Sequence, residues 1–303
     1  MAQKNYPAAA VVLYKPNAKV LDQLLSSIDQ NRRRLFIFAN GTLDAGIEAR
    51  LEALTNSRLI RSAENVGHGQ GLNASVEAAR EEGFDTIALF DQDSTPEPDI
   101  IERLSDRYVI MMRGYQQIAV LGPLLVAPPG ENFLPLKYLW RTSDLKAPDR
   151  AADFIPTSGS LVSIRAWTTV GPFRSDYFIG GIDVEWSLRA WSRGFMCAVA
   201  TDLLMVHRWG RAVSAAEAHK PQILRQSDTR NYYFFRNAVD CLKLPYIPLL
   251  WRLRYAAILS AQIALLLYNR RFLSPLRALL LRAIADGWKG RFGPMPSDIM
   301  LDD

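Results

Sequence analysis

The sequence predicts an α/β fold in which a mostly parallel, Rossmann-like sheet is flanked by helices and followed by a helical carboxyl-terminal appendage. Over the first hundred residues, short apolar runs alternate with amphipathic stretches, which is the rhythm of successive βα units. Polar residues follow several of these runs directly, as expected at the carboxyl ends of parallel strands, where such folds bind ligands. After Thr229 the composition changes, because aromatic and apolar residues become interleaved with basic ones.

The spacing of apolar residues predicts the elements in order. Strands are expected at 8–14, 35–39, 58–61 and 86–90, and helices at 20–30, 47–54 and 71–82. A loop-like region follows at about 128–153, and order returns with 154–164, a helix from about 184 and a strand at 197–206. We therefore expect an α/β domain at 1–210, divided at about residue 125, and a mostly helical region at 211–303.

The charge is distributed unevenly. The chain has 303 residues and a net charge of +5, yet the segment from Arg208 onwards holds 15 Lys/Arg and 7 Asp/Glu, a net of +8 against −3 before it. Such a basic region suggests an anionic partner, either nucleic acid or a phospholipid surface, and the interleaved apolar residues favour the membrane.

An uncharged stretch between Arg254 and Arg270 is the predicted contact with the membrane. As a helix its 15 residues would extend about 22 Å, short of the roughly 30 Å hydrocarbon core, so the helix is expected to lie in the interface. The alternative is a core helix packed on the α/β domain. With only Cys197 and Cys241 and no apolar signal segment at the start, the sequence predicts a cytoplasmic protein.

Asp91 and Asp93 follow the predicted strand 86–90 directly. Two aspartates two residues apart are common in helix caps, but at the open end of a strand they offer the hard oxygen ligands that Mg²⁺ or Mn²⁺ requires. A metal there would stabilise a diphosphate leaving group. His207, at the end of another predicted strand, is a candidate to complete the site, although a lone histidine is more often structural.

The glycine-rich loop 64–73 has no Walker lysine and does not follow the first strand, which excludes a P-loop and disfavours a dinucleotide site. Its glycines allow close backbone approach to a ligand, and the helix that follows would favour an anion. Asp183 and Glu185 lie where a second glycine turn enters a helix. One of them is a candidate general base, and the alternative is a pair of acids that only stabilise the helix dipole.

Taken in order, these segments resemble the family 2 glycosyltransferases with a GT-A fold. The resemblance covers roughly residues 7–210 and rests on AVVLYKP, FANGT, NVGHGQGLN, DQD, PTSGSLVSIRAW, DVEWSLR and HRWG. The forms DQDS and DVEW, with RNYYFFRN in the tail, resemble the bacterial rhamnosyltransferase branch of that family.

The resemblance implies a role for each matching residue. Asp91 and Asp93 would hold a metal bound to the donor diphosphate, with His207 as third ligand, and Asp183 would be the general base of an inverting displacement. Glu185 and Trp186 would lie at the acceptor or orient the base. The nucleotide-sugar site would comprise Tyr14, Asn40, Asn65, Gly67, Gly71, Asn73, Asp91 and Gln92.

The expected reaction is transfer of L-rhamnose from dTDP-β-L-rhamnose to a hydroxyl of a lipid-linked or lipopolysaccharide-type glycan, such as O-antigen, at the inner face of the bacterial inner membrane. Nucleic acid is not expected as a partner. The sequence departs from the family at Ile182, where a first acid often precedes the base, and at Ala39, where many members have an aspartate near the nucleobase. Two alternatives stay open: the same fold with a UDP- or GDP-sugar donor, and a non-catalytic glycan-binding or scaffold module at the membrane.

Overall fold

The computed structural model describes residues 6–28, 33–115, 117–133, 135–210, 226–270 and 274–299. Eight strands in these ranges belong to one sheet: β1 (Ala8–Leu13), β2 (Leu35–Asn40), β3 (Ser57–Ser62), β4 (Thr86–Asp91), β5 (Ile118–Val126), β6 (Asp149–Ala151), β7 (Ser160–Ser163) and β8 (Met196–Val206). Their spatial order is β3-β2-β1-β4-β7-β5-β8-β6. The predicted α/β architecture is confirmed.

Nine helices are described: α1 (Ala18–Ser27), α2 (Ala45–Glu52), α3 (His68–Glu81), α4 (Ile100–Tyr115), α5 (Ile164–Val170), α6 (Ile182–Ser192), α7 (Asp228–Cys241), α8 (Leu249–Asn269) and α9 (Ser274–Lys289). Short 3₁₀ turns occur at Ser175–Tyr177 and Ser297–Ile299. Helix α4 and strand β5 lie in a stretch for which the sequence pattern made no prediction.

The sheet is mostly parallel. Strands β3, β2, β1 and β4 pair in parallel, and β5 and β8 pair in parallel with each other. Strand β7 lies antiparallel between β4 and β5, so β5 and β8 run in the same direction as β4. At the other edge the short β6 is antiparallel to β8. The carboxyl ends of β1, β2 and β4 therefore meet at one edge of the sheet, as predicted.

Both faces of the sheet are covered, which explains why its strands are continuous apolar runs. In β1, Ala8, Ala10 and Val12 face the cluster that includes α3, α5 and α6, whereas Ala9, Val11 and Leu13 face the cluster that includes α1 and α4. Glycine at position 71 lets α3 approach this sheet, since an added Cβ would lie 2.8 Å from Val12 and Phe38.

The carboxyl-terminal helices pack on the α/β domain. Cys241, Ile247 and Trp251 belong to the same buried cluster as the α3 face of the sheet, and α7 packs extensively against α9. Residues 211–225, within the region predicted to be mostly helical, lie outside the described residues. Helix α8 begins earlier than the predicted uncharged stretch and includes Arg252 and Arg254 within its first two turns.

Candidate active site

The carboxyl ends of β1 and β4 are tied together by Gln92. Its side-chain amide accepts from the backbone N–H of Tyr14 at 2.9 Å and donates to the Tyr14 carbonyl at 3.2 Å. In a parallel sheet the residue just after a strand lacks its ladder partner, and the Gln92 amide replaces that partner on both sides. The residue between the two aspartates thus joins the first strand to the strand that carries them.

The end of β2 is joined in the same way to the glycine-rich loop. The Asn40 amide donates to the Asn65 side-chain oxygen at 2.9 Å and accepts from the backbone N–H of Val66 at 2.8 Å. The same Asn65 oxygen accepts from Gly67 at 3.0 Å. Asn40 is buried, so its observed contacts fix the loop, and its predicted contact with a nucleotide stays a prediction.

The glycines of that loop make room for protein atoms. Gly67 has φ +89°, and an added Cβ would lie 2.8 Å from the Cα and carbonyl oxygen of Phe178. At Gly69 an added Cβ would lie 2.8 Å from the Arg174 carbonyl. The space beside Gly67 and Gly69 is therefore taken by the segment before α6, and the approach of a ligand to the backbone of this loop stays a prediction. Gly67 and Gly71 remain nucleotide-site candidates through their backbone only.

Asn73 is engaged with the same distant segment. Its side-chain nitrogen donates to the Phe173 carbonyl at 2.9 Å, and its oxygen accepts from the Phe173 N–H at 2.9 Å. Trp167 donates to that oxygen as well, at 3.4 Å. This bonding holds α3 to the chain ahead of α6, and it leaves the proposed nucleotide contact of Asn73 as a prediction.

Asp183 lies in the first turn of α6, after two glycines with left-handed backbones, Gly180 at φ +81° and Gly181 at φ +72°. Its Oδ1 accepts from the N–H of Val184 at 2.9 Å. Burial raises the pKa of Asp183 to about 6, the backbone bonds oppose this effect, and the negative charge of Asp91 adds to it. The two carboxylates predicted from separate motifs therefore lie close enough to repel each other.

Glu185 and Trp186 do not reach the solvent. Glu185 is fully buried, accepts from Arg189 Nε at 2.8 Å and Arg189 Nη2 at 3.0 Å, and also accepts from the Tyr246 hydroxyl. Trp186 is buried, with its indole N–H bonded to the Gly171 carbonyl at 2.8 Å. Both side chains are enclosed by protein, and Trp186 lines a small cavity together with Asp183, so their predicted place at the acceptor stays a prediction. Their action on the base through α6 stays a prediction.

The predicted metal ligands divide into a pair and a separate histidine. Asp91 is one-third exposed, and Asp93 is exposed at the end of β4. His207 follows β8, with its backbone N–H bonded to the Val126 carbonyl and its ring 5.8 Å from the Trp209 ring. Among the described residues, no group of three or more His, Cys, Asp or Glu side chains is close enough to hold a metal. His207 as third ligand stays a prediction.

His68 belongs to the candidate site, although no role was predicted for it from the sequence. It is the first residue of α3, and its Nε2 lies 3.8 Å from Asp91 Oδ1. Burial lowers the pKa of His68, the Asp91 carboxylate opposes this, and the charge of Arg230 on α7 adds to the lowering. In the sequence, the one indication of such a role is that this histidine lies in a glycine-rich loop. Only the fold brings that loop to the end of β4.

The order of this sheet and the helices that cover its two faces form a fold of the GT-A type. The sequence pattern described as glycosyl transferase family 2 matches residues 10–112. The chain is a glycosyltransferase, and residues 10–112 carry its similarity to this family. The matched region contains Tyr14, Asn40, Asn65 and Asp91, and it ends before Asp183.

The similar proteins agree with this assignment. The dTDP-rhamnosyl transferase RfbF of Shigella flexneri is 26% identical over 255 residues, which cover 81% of this chain and 83% of that protein. The structure of S. aureus TarS 1–349 in complex with UDP-GlcNAc superposes with a TM-score of 0.59 at 12% identity, covering 97% of this chain and 82% of that one. GalNAc-T7 with UDP, GalNAc and Mn²⁺ gives 0.53 at 10% identity, covering 84% and 55%. These two structures share the fold.

Proposed function

We propose that this glycosyltransferase transfers L-rhamnose from dTDP-β-L-rhamnose to a hydroxyl of a lipid-linked or lipopolysaccharide-type glycan, with inversion at the anomeric carbon. The observation that carries the reaction type is the placement of Asp183, a half-buried carboxylate with a raised pKa that lies near Asp91 at the end of β4. The choice of rhamnose is supported by the similarity to dTDP-rhamnosyl transferase RfbF.

Asp183 is suited to be the general base. In a single displacement the acceptor oxygen forms its bond to the anomeric carbon while the bond from that carbon to the diphosphate breaks, and the hydroxyl proton passes to the Asp183 carboxylate. A base with a pKa of about 6 is ionised at neutral pH and takes up a proton more readily than an ordinary aspartate. Its bond from Val184 fixes one oxygen, so the other oxygen is the one available to the acceptor.

Asp91 and Asp93 fit a divalent cation, Mg²⁺ or Mn²⁺. Both are carboxylates at the open end of a strand. Asp91 lies near the negative charge of Asp183, and no described hydrogen bond joins Asp91 to a Lys or Arg side chain. Mg²⁺ at phosphate sites commonly takes one or two protein carboxylates, with phosphate oxygens and waters as its other ligands. When bound, the cation would neutralise the charge that develops on the departing dTDP.

A membrane surface is the proposed location of the acceptor, and α8 is the element that would contact it. This helix is long and apolar enough to cross a membrane by length and composition, and it contains no Asp or Glu. Trp251, Tyr255, Leu259 and Leu266 form a stripe that packs on the protein. Because that stripe is attached to the domain along most of the helix, we favour a helix that lies on the bilayer over one that crosses it.

The opposite side of the carboxyl-terminal helices is apolar and exposed. Leu250 is 79% exposed and Leu253 60% on α8, and Leu281 and Trp288 are similarly exposed on α9. Exposed basic residues accompany them, namely Arg254, Arg270, Arg277 and Lys289. Apolar side chains that can enter the interface, next to cations that can pair with anionic headgroups, support a peripheral location at the inner leaflet of a bacterial membrane.

The test of this function is nucleotide release from a panel of dTDP-, UDP- and GDP-sugars, in Mg²⁺, Mn²⁺ and EDTA, with donor-induced thermal stabilisation measured in parallel. Release of dTDP from dTDP-rhamnose that requires a divalent cation is the expected result. Release from a UDP- or GDP-sugar instead would be consistent with the proposed base and the fold, but it would show that the donor is not dTDP-rhamnose. If no donor gives nucleotide release or thermal stabilisation, the result would contradict the proposed enzyme activity and favour a glycan-binding module.

A further inference from the structure

The loop that carries Asp183 into the site is held in an unfavourable backbone conformation. We call residues 177–181, which directly precede α6, the base loop. Phe178 has φ +65° and ψ −64°, a strained γ-turn conformation that a bulky side chain rarely adopts, and Gly180 and Gly181 also have positive φ. Gly181 caps α6 without any side-chain bond. A bond within the loop, from the Ile179 N–H to the Tyr177 carbonyl at 2.8 Å, closes this turn, and contacts from outside the loop hold it in place.

Asn237, a fully buried residue of α7, supplies the largest set of such contacts. Its side-chain nitrogen lies 3.0 Å from the Tyr177 carbonyl, 3.0 Å from that of Ile179 and 2.8 Å from that of Gly180. An amide has two hydrogens, so three acceptors share them. One side chain thus fixes three of the four carbonyls that lead into Gly181.

Arg236 orients the Asn237 amide. Its Nε donates to the Asn237 side-chain oxygen at 2.9 Å, which identifies the other end of the amide as the nitrogen that faces the base loop. Arg236 also donates to the Tyr177 carbonyl at 2.8 Å, and its guanidinium lies 4.9 Å from the centre of the Tyr233 ring. Both side chains are fully buried, so water does not compete for these bonds.

The base loop is bonded on its other side to the donor half of the site. The Phe178 carbonyl accepts from the backbone N–H of His68 at 2.6 Å and of Gly69 at 3.4 Å. The Phe178 ring stacks on Tyr233 of α7 at 5.1 Å. The base loop therefore lies between the start of α3 and the middle of α7, and Asp183 follows it by two residues.

We propose that Asn237 is a positioning residue for the transfer reaction, which holds the base loop so that Asp183 meets the acceptor hydroxyl. The proposal rests on the role of Asp183 in the proposed function. It gives the carboxyl-terminal helices a part in catalysis in addition to contact with the membrane. The second RN pair of the RNYYFFRN segment acquires a physical role: Arg236 orients Asn237, and Asn237 orients the base loop.

The test is a double-mutant cycle between Asn237→Ala and Asp183→Asn. In the wild-type background, Asn237→Ala is expected to lower kcat by about 10- to 100-fold, the usual cost of a misplaced catalytic group, with donor Kd changed less than about twofold. In the Asp183→Asn background the same substitution should change kcat by less than about twofold, because residues that act through one another are not additive. Equal losses in both backgrounds, or a loss of donor affinity that matches the loss of kcat, would overturn the proposal.

Hydrogen exchange of the backbone amides at 177–183 provides a readout that does not depend on turnover. Asn237→Ala should accelerate this exchange, and Asn237→Ser, which keeps one donor, should do so less. Asn231→Ala is the matched control, since Asn231 is also buried on α7 but lies six residues earlier; it should leave exchange in the base loop unchanged. Unaltered exchange in Asn237→Ala would overturn the proposal.

The role of Asp183 and the role of Asn237 can be tested separately. Wild-type turnover in Asp183→Asn would overturn the proposed base and the proposed function with it. Impaired Asp183→Asn together with full activity in Asn237→Ala would overturn the positioning role alone.

Discussion

Asp183 has a pKa that predicts how the reaction depends on pH. A general base works in its ionised form, so kcat/KM should rise with pH and level off above the pKa of Asp183, which is about 6. Below that pH it should fall about tenfold per pH unit. Asp183→Asn should lower turnover by about two orders of magnitude or more and abolish this dependence, with donor binding retained. Initial rates between pH 4.5 and 8 provide the measurement, and near-normal turnover in the variant would contradict the assignment.

The ionised carboxylate of Asp183 should lower the stability of the folded protein at neutral pH. Because its pKa is raised from 3.8 in the unfolded chain to about 6 in the folded protein, the folded state binds the proton more tightly, and stability falls as pH rises through that window. Asp183→Asn should therefore stabilise the metal-free protein at pH 7.5, by at most about 3 kcal/mol. The gain should disappear below about pH 4, where the wild-type carboxyl is protonated in both states. Urea unfolding at both pH values would reveal it, and a variant that is less stable at pH 7.5 would contradict the pKa.

At the scale of elements, the base loop and the start of α3 fit together only because residue 67 has no side chain. Gly67→Ala should destabilise the protein by more than about 2 kcal/mol, since the positive φ and a Cβ 2.8 Å from the Phe178 backbone both oppose it. Gly83→Ala is the matched control: its φ is +82°, but no atom lies within 4 Å of the added Cβ. It should cost only about 1 kcal/mol, from backbone strain alone. Equal losses in urea unfolding would show that the contact with Phe178 is unimportant.

The elements also show how much the sequence could predict. The runs that become β1, β2 and β4 are apolar on both faces, and the turns that follow them carry polar residues, so strands, parallel pairing and the position of Asp91 follow from local pattern. The burial of Glu185 cannot be predicted from local pattern, because its partner Tyr246 is 61 residues away. Nor could the pattern place His68 beside Asp91 or Asn237 beside the base loop, since these contacts arise only from the packing of α3 and α7. The reversed strand β7 has only four residues, too few to show a direction.

For the whole molecule, the split between an acidic body and a basic, apolar carboxyl-terminal face predicts selective binding to anionic lipid. Leu250→Glu combined with Leu253→Glu should weaken binding to phosphatidylglycerol vesicles by about tenfold or more, because two exposed leucines no longer enter the interface and two charges repel the headgroups. Vesicle sedimentation measures this.

The matched control for vesicle binding is the pair Val109→Glu and Ile110→Glu, which also replaces exposed apolar residues but on α4. Both double variants should keep the wild-type melting temperature and rate of donor hydrolysis. Wild-type vesicle binding in the Leu250 and Leu253 variant, or an equal loss in the α4 variant, would contradict the assigned face.

The position of β7 in the sheet has a consequence for synthesis on the ribosome. Strand β4 is complete at Asp91, but its neighbour β7 begins only at Ser160, and β5 reaches the sheet only through β7. At about 5–20 residues per second, roughly 4–14 seconds pass between the two strands. During that time the nascent chain presents β4 as an apolar edge without a partner, which favours pairing with other chains. Slow translation between these strands should therefore lower the yield of folded enzyme more than an equal delay placed after Val206.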